Sequence, residues 1–366
     1  MKTYSMPHLD TPDVWQRLKQ EARPLVVWGM GNGADKLIAA FDKHGLEVAD
    51  FMASDGFVRG QIFHGKEVLS LAKIEEKYPD FVLVVAFASS RPEVMEMLSA
   101  AAEKHTLYIP DLPVAGETLF TSAWYGAHYG ELLAAADLLA DIASRNLFFA
   151  ILQYKLSGSI EILNDAYTAY RDERAALDPA TIHTYIDCGA YTGDTLRELL
   201  DNGAPLTSSI CVEPDARTYR RLLKYTDTLP AGFVKTIPAA VWSENSVGVF
   251  SGSGNRNSSL VGASYEHREE RVNLVTVDSL SVGLHVDFIK YDVEGAEREA
   301  LLGSRETISR CEPRLLVSLY HRTEDLYDLL FLVKELYPSA SLRLFRRPCY
   351  PAWEIALVAC PPTSAE

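Results

Sequence analysis

The stretch Tyr185-Ile186-Asp187-Cys188-Gly189-Ala190-Tyr191-Thr192-Gly193-Asp194-Thr195-Leu196 decides the fold. Residues 183–188 read as a buried strand, and the apolar spacing over 195–200 starts a helix. Between them Gly189 and Gly193 carry no Cβ, so a ligand is expected to lie against the backbone there. The helix that follows aims free N–H groups and a partial positive charge at the same spot. A turn of this kind suits a phosphate or a carboxylate equally well.

The next apolar run, Ser209-Ile210-Cys211-Val212-Glu213-Pro214-Asp215, ends on an acid 24 positions after Gly189. A doubly wound sheet places the carboxylate that grips ribose hydroxyls at about this point. The turn itself, G-A-Y-T-G-D, is not the dinucleotide pattern, and Asp187 and Asp194 on its two sides would repel a pyrophosphate. A ligand with an ammonium, a carboxylate and a ribose fits better, and S-adenosylmethionine (SAM) has all three.

With the string Asp287-Phe288-Ile289-Lys290-Tyr291-Asp292-Val293-Glu294-Gly295-Ala296-Glu297 added, residues 180–360 resemble the FkbM family of SAM-dependent methyltransferases. K-x-D-V-E-G-A-E is the most specific part of that likeness. The resemblance implies an α/β class I methyltransferase fold, Rossmann-like, with a seven-stranded sheet whose last strand is antiparallel. It also implies methyl transfer to oxygen, with SAM as cofactor and a sugar or other hydroxylated small molecule as acceptor. Tyr320 stands where many relatives carry an acid, so the Tyr320-His321-Arg322 version marks a subset.

Site roles follow from SAM. Gly189, Ala190 and Gly193 would give backbone contact to its amino-acid end, with Asp187 and Asp194 complementing the ammonium, and Thr195 is a further cofactor-binding candidate. Glu213 would accept both ribose hydroxyls, and backbone near Ala240 and Val241 would wall the adenine. Open α/β sheets bind ligands outside the carboxyl ends of their strands, where Asp292 and His321 also fall. His321 is the expected base for a hydroxyl acceptor, with an imidazole that ordinarily titrates near working pH. Asp292 would orient donor, acceptor or that histidine. Glu294 and Glu297 are candidate ligands for a divalent metal, but no metal is expected, because Asp292 and Glu294 alone are a thin signal and acids at a helix start often serve only its dipole.

The chain has 366 residues, enough for two cores. A net charge of −15 argues against nucleic acid or an anionic membrane as partner. The charged runs 343–347 and 266–271 read as solvated faces. Five cysteines without a C-x-x-C pair read as reduced core thiols, and no apolar run is long enough to span a bilayer, so a cytoplasmic protein is expected.

A second glycine turn lies upstream. Pro24-Leu25-Val26-Val27-Trp28-Gly29-Met30-Gly31-Asn32-Gly33-Ala34 repeats the strand–turn–helix logic with G-x-G-x-x-A, much nearer the dinucleotide pattern. A short helix over 11–20, capped by Thr11 with Pro12 first, precedes it. Asp50 or Asp55 could occupy its ribose-binding position. This defines a smaller Rossmann-like α/β domain over residues 20–112. A helical connector (113–177) follows, in which Tyr154, Lys155 and Tyr167 are candidates for a substrate mouth. The methyltransferase domain takes 178–362. Residues 233–242 read as one strand, and 247–250 and 272–277 as an antiparallel pair around a long polar loop. There the resemblance implies ligand contact by Asn257, Ser258 and Ser259, a plain loop being the alternative. The competing functions are an NAD(P)-linked oxidoreductase using the upstream turn, which lacks an evident hydride-transfer set, and a nucleotide- or nucleotide-sugar-binding module.

Overall fold

Continuous apolar strands fix the architecture. In the computed structural model, which describes residues 2–252 and 268–362, the first half builds a six-stranded sheet. Its strands are β1 (Leu25–Trp28), β2 (Asp50–Met52), β3 (Ile62–Phe63), β4 (Lys66–Leu69), β5 (Val82–Val85) and β6 (Thr106–Tyr108), in the order β3-β4-β2-β1-β5-β6. Only the β3–β4 pairing is antiparallel. Every residue of β1 and β5 is buried, as expected for parallel strands covered on both faces. The first helix is Val14–Gln20, capped by Asp13 in a capping box with Gln16, so the cap falls two residues after Thr11.

The second half contributes β7 (Thr184–Cys188), β8 (Ser208–Val212), β9 (Val234–Ile237), β10 (Ala239–Val241), β11 (Ser246–Gly252), β12 (Arg268–Val275), β13 (Phe288–Tyr291), β14 (Arg314–Ser318), β15 (Ser341–Arg346) and β16 (Ile355–Cys360). Seven of these form one sheet in the order β15-β16-β14-β13-β7-β8-β9. β16 runs antiparallel to both β14 and β15. The expected single strand over 233–242 is two: β9 stays in the large sheet, while β10 leaves it to pair with β12. Pro238 separates them, and a proline cannot donate to a ladder. β11 and β12 pair antiparallel from Ser246↔Leu274 to Gly252↔Arg268. Asn257, Ser258 and Ser259 lie outside the described residues, as does part of the charged run 266–271.

Between the two sheets run the helices Ser122–Ala127, Tyr129–Asp137, Ile142–Ser157, Ile160–Asp165 and Tyr170–Leu177. One contiguous apolar core joins Val26 and Leu83 of the first sheet, Phe148 and Ile151 of these helices, and Ile186 and Leu357 of the second. Two residues expected at a substrate mouth belong to this packing instead. Tyr154 is buried and donates to the Ile109 carbonyl at 2.9 Å, and Lys155 is buried in an ion pair with Asp111 at 2.5 Å. Tyr167 is exposed and lies outside the cleft described below.

Candidate active site

β7 ends at Cys188, and the chain turns at Gly189 with φ +84°, a left-handed conformation that favours glycine. A Cβ at this position would stand 1.9 Å from the carbonyl oxygen of Asp292. The glycine therefore lets the end of β7 touch the loop after β13. Gly193, the N-cap of helix Asp194–Asp201, is equally constrained: its Cβ would fall 2.6 Å from the Tyr225 ring. Sequence reasoning explained both glycines by room for a ligand; the structure explains them by close packing of protein on protein.

The turn still opens on a cleft. Gly189, Tyr191, Asp194 and Thr195 line one end of it, with Glu213 from the end of β8 and Ala239, Ala240 and Val241 from β10. Asp292, Glu294, Ser318, Tyr320 and Glu354 line the other end. Of the expected site residues, Asp187, Ala190, Gly193 and His321 do not reach its surface.

Glu213 is almost buried, and both of its oxygens are engaged: Oε2 accepts from the Tyr191 amide and Oε1 from the Asp215 amide, each at 2.9 Å. These bonds lock the acid to the glycine turn. Burial nevertheless pushes its pKa up to about 7, against the two amide bonds that favour the charge.

Beneath the cleft, Asp187 is fully buried and neither of its oxygens accepts a hydrogen bond. Burial raises its pKa to about 7, although the Lys290 ammonium 3.7 Å away acts in the opposite sense. Lys290 is the one charged residue in the buried strand β13. Its Nζ stands 3.2 Å from Asp292 Oδ2 and donates to the Gly189 carbonyl at 3.4 Å. Burial works against its charge, but Asp292, Asp187 and Asp194 together outweigh it and keep the ammonium charged. Sequence reasoning passed over Lys290; a cation inside an otherwise apolar strand was the available signal.

Asp292 sits at the cleft surface. Its Oδ1 accepts from Ser318 Oγ at 2.9 Å and from Tyr320 Oη at 3.1 Å. Burial favours its neutral form, but Lys290, His321 and the Ser318 hydrogen bond prevail and hold the carboxyl well below its usual range.

His321 departs from expectation. The ring is fully buried behind the cleft, with Nδ1 2.9 Å from Glu297 Oε1 and Nε2 3.5 Å from Glu294 Oε2 and 3.6 Å from Asp292 Oδ1. Burial alone would depress its pKa, but Glu297, Glu294 and Asp292 raise it to about 10. An imidazole so placed neither touches an acceptor nor offers a vacant lone pair at neutral pH, so the role of general base is withdrawn from it.

The run 343–347 is also not a solvated face. Arg346 is fully buried and donates to the Leu163 carbonyl at 3.1 Å. Arg347 lines the cleft, clamped between Glu173 (2.9 and 3.0 Å) and Glu198 (2.9 and 3.2 Å). In the first sheet Asp50 is tied by Lys77 at 2.8 Å and Tyr78 at 2.6 Å, and Asp55 is exposed, so neither is placed as a ribose grip. Gly33 of that half packs too, since its Cβ would come 2.2 Å from the Ala86 carbonyl oxygen.

A seven-stranded sheet with an antiparallel strand between β14 and β15, and a cleft outside the carboxyl ends of β7, β8 and β13, is the fold of the Rossmann-like methyltransferases. Residues 187–337 match the family described as Methyltransferase FkbM domain. The fold is also that of the methyltransferase FkbM from Methylobacillus flagellatus, at 19% identity and a TM-score of 0.69, over 97% of this chain and 94% of that one. An rRNA methylase from Streptococcus thermophilus aligns over 52% of this chain and 95% of its own, at 10% identity and a TM-score of 0.35. No curated protein sequence matches. Among the described residues no helix is long and apolar enough to cross a membrane.

Proposed function

We propose that this methyltransferase uses SAM and transfers its methyl group to a hydroxyl oxygen of a small molecule, a sugar or a comparable polyol. The observation that carries the reading is Glu213, locked by the Tyr191 and Asp215 amides in the cleft that also contains Asp194 and Asp292. A ribose offers two hydroxyl donors, and a fixed carboxylate is the acceptor that matches them. Asp194 lies where a ligand ammonium would meet a negative charge at the glycine turn, and β10 supplies an apolar wall for adenine through Ala239, Ala240 and Val241. Asp187 supports from below by steadying Lys290.

The sulfonium already activates the methyl carbon, so the protein's work is to hold donor and acceptor in line. As the oxygen–carbon bond forms, the sulfur–carbon bond breaks and S-adenosylhomocysteine is left neutral. Asp292, the carboxylate at the cleft surface that Ser318 and Tyr320 hold in place, accepts the hydrogen bond of the acceptor hydroxyl and orients it, and the proton leaves to water. The described lining has eight carboxylates against Lys290 and Arg347, each of which already stands between two acids, and this balance disfavours a polyanionic substrate such as nucleic acid.

Incubation with methyl-labelled SAM and a panel of polyols tests the reading. Labelled product with the methyl on oxygen, together with release of S-adenosylhomocysteine, is the expected result. Methyl found on nitrogen or carbon would overturn the oxygen-acceptor part, and absence of SAM binding would overturn the whole.

A further inference from the structure

We propose that the first half of the chain positions the acceptor end of the cleft through Lys36 and Tyr350, without placing a side chain in the cleft itself. The acceptor meant is the polyol of the preceding reading, on which this inference rests. Among the described residues, none before Glu173 lines the cleft. Two tethers nevertheless run from the upstream glycine turn to the walls that carry Glu294, Tyr320 and Glu354.

The first tether starts on the helix that the turn opens, Asn32–His44. Lys36 of this helix is half-buried, and its Nζ donates to the carbonyls of Pro113 at 3.1 Å and Val114 at 2.8 Å. The next residue, Ala115, is buried, and its amide donates to the His321 carbonyl at 2.8 Å. A Cβ on Gly295 would stand 2.5 Å from the Ala115 methyl group. Residues 113–115 therefore pack behind two cleft residues at once, since Gly295 follows Glu294 and His321 follows Tyr320. Burial holds the Lys36 pKa below its ordinary value, while Glu294, an acid of the cleft, acts to raise it.

The second tether starts beneath the turn. A Cβ on Gly29 or Gly33 would meet Ala86 and Phe87, in the segment after β5. Ser89 of that segment pairs with Tyr350: its amide donates to the Tyr350 carbonyl at 2.7 Å, and its carbonyl accepts from the Tyr350 amide at 2.9 Å. The Tyr350 side chain is buried, with its hydroxyl 3.4 Å from Ser99 Oγ. Tyr350 belongs to the loop between β15 and β16, which the Arg347 amide closes by donating to the Glu354 carbonyl at 3.1 Å. From this loop Trp353 stacks on Tyr320 with 6.3 Å between ring centres, and Glu354 reaches the cleft. Glu354 has φ +61°, a left-handed conformation that a residue with a side chain keeps only where its surroundings impose it.

Both tethers end around Asp292, to which Tyr320 donates, and the cofactor end is built by β7, β8 and β10 of the second half. Methyl transfer needs the acceptor oxygen in line with the methyl carbon, and a misplacement of about 1 Å caused from afar can cost about 100-fold in rate. The G-x-G-x-x-A turn thereby has a purpose that needs no nucleotide.

The test uses the full chain, with glucose, inositol and glycerol as probe acceptors for methyl-labelled SAM and calorimetry for S-adenosylhomocysteine. Lys36→Met and Tyr350→Leu should each lower kcat/KM for the polyol that is methylated by about 10–100-fold. Both should bind S-adenosylhomocysteine like wild type, which also shows that they are folded. Lys36→Arg, which keeps a cation that can donate to both carbonyls, should recover most of the loss. Variants with wild-type kcat/KM overturn the proposal, as does cofactor affinity that falls in step with transfer, or a Lys36→Arg chain no better than Lys36→Met. A wild type that binds S-adenosylhomocysteine but methylates none of the polyols overturns the acceptor reading and this proposal with it. Unimpaired variants of a wild type that does methylate one overturn this proposal alone.

Discussion

The glycine turns at residues 29–34 and 189–194 are built alike and positioned for different work. Each follows a buried parallel strand and opens a helix. Each contains a glycine jammed against a neighbouring carbonyl, Gly33 on Ala86 and Gly189 on Asp292. They differ in the acid on the adjacent strand. In the first half Asp50 begins β2 and is bound by Lys77 and Tyr78. In the second half Glu213 follows β8, faces the cleft and is held by backbone amides alone among the hydrogen bonds it accepts. A glycine pattern thus reports tight packing, and the free face of the neighbouring acid marks a binding site.

Substitutions at the glycines separate the turns most sharply. Gly189→Ala combines a positive φ with a backbone clash and should cost about 3–5 kcal/mol, read from denaturant midpoints. Gly31→Ala meets nothing within 4 Å and should change stability by only about 0.5 kcal/mol or less. Should the two behave alike, the contrast between the turns is lost.

The acids come next. Asp50→Ala leaves Lys77 and the Tyr78 hydroxyl without their partner and should destabilise by about 1–3 kcal/mol. S-adenosylhomocysteine affinity should stay at the wild-type value, measured by calorimetry. A large loss of affinity would give the first half a role in the cleft that the comparison denies it.

The smallest effect is one of pH. Asp187 and Glu213 sit near 7 in the folded chain against ordinary values of 3.8 and 4.5. Their stabilising protons are fully present below the ordinary values and are lost as pH rises through about 7. Stability should therefore fall across roughly pH 4.5–7, because the folded state binds more protons there. Cofactor affinity should move the other way and rise toward pH 8 as Glu213 ionises. Parallel trends in the two measurements would detach Glu213 from the cofactor.

Much of this was legible in the chain. The period of buried runs gave β7, β8, β13 and β14, and the acid after Val212 gave Glu213 its place. What escaped was set by contacts between distant residues. Nothing near His321 in sequence shows that Glu297 and Glu294 will surround it, so its ordinary pKa suggested a base. The run 343–347 reads as solvent-facing because its partners, Leu163 for Arg346 and Glu173 with Glu198 for Arg347, lie well over a hundred residues away. Lys290 was visible in β13 but has a purpose only once β7 lies beside it.

The most direct test is calorimetric titration of S-adenosylhomocysteine into wild type and into Glu213→Ala. The account predicts saturable binding of one molecule per wild-type chain, weakened about 100-fold or more in the variant, as expected when two hydrogen bonds to a charged group are lost. Undiminished affinity in the variant, or no binding by wild type, would contradict it.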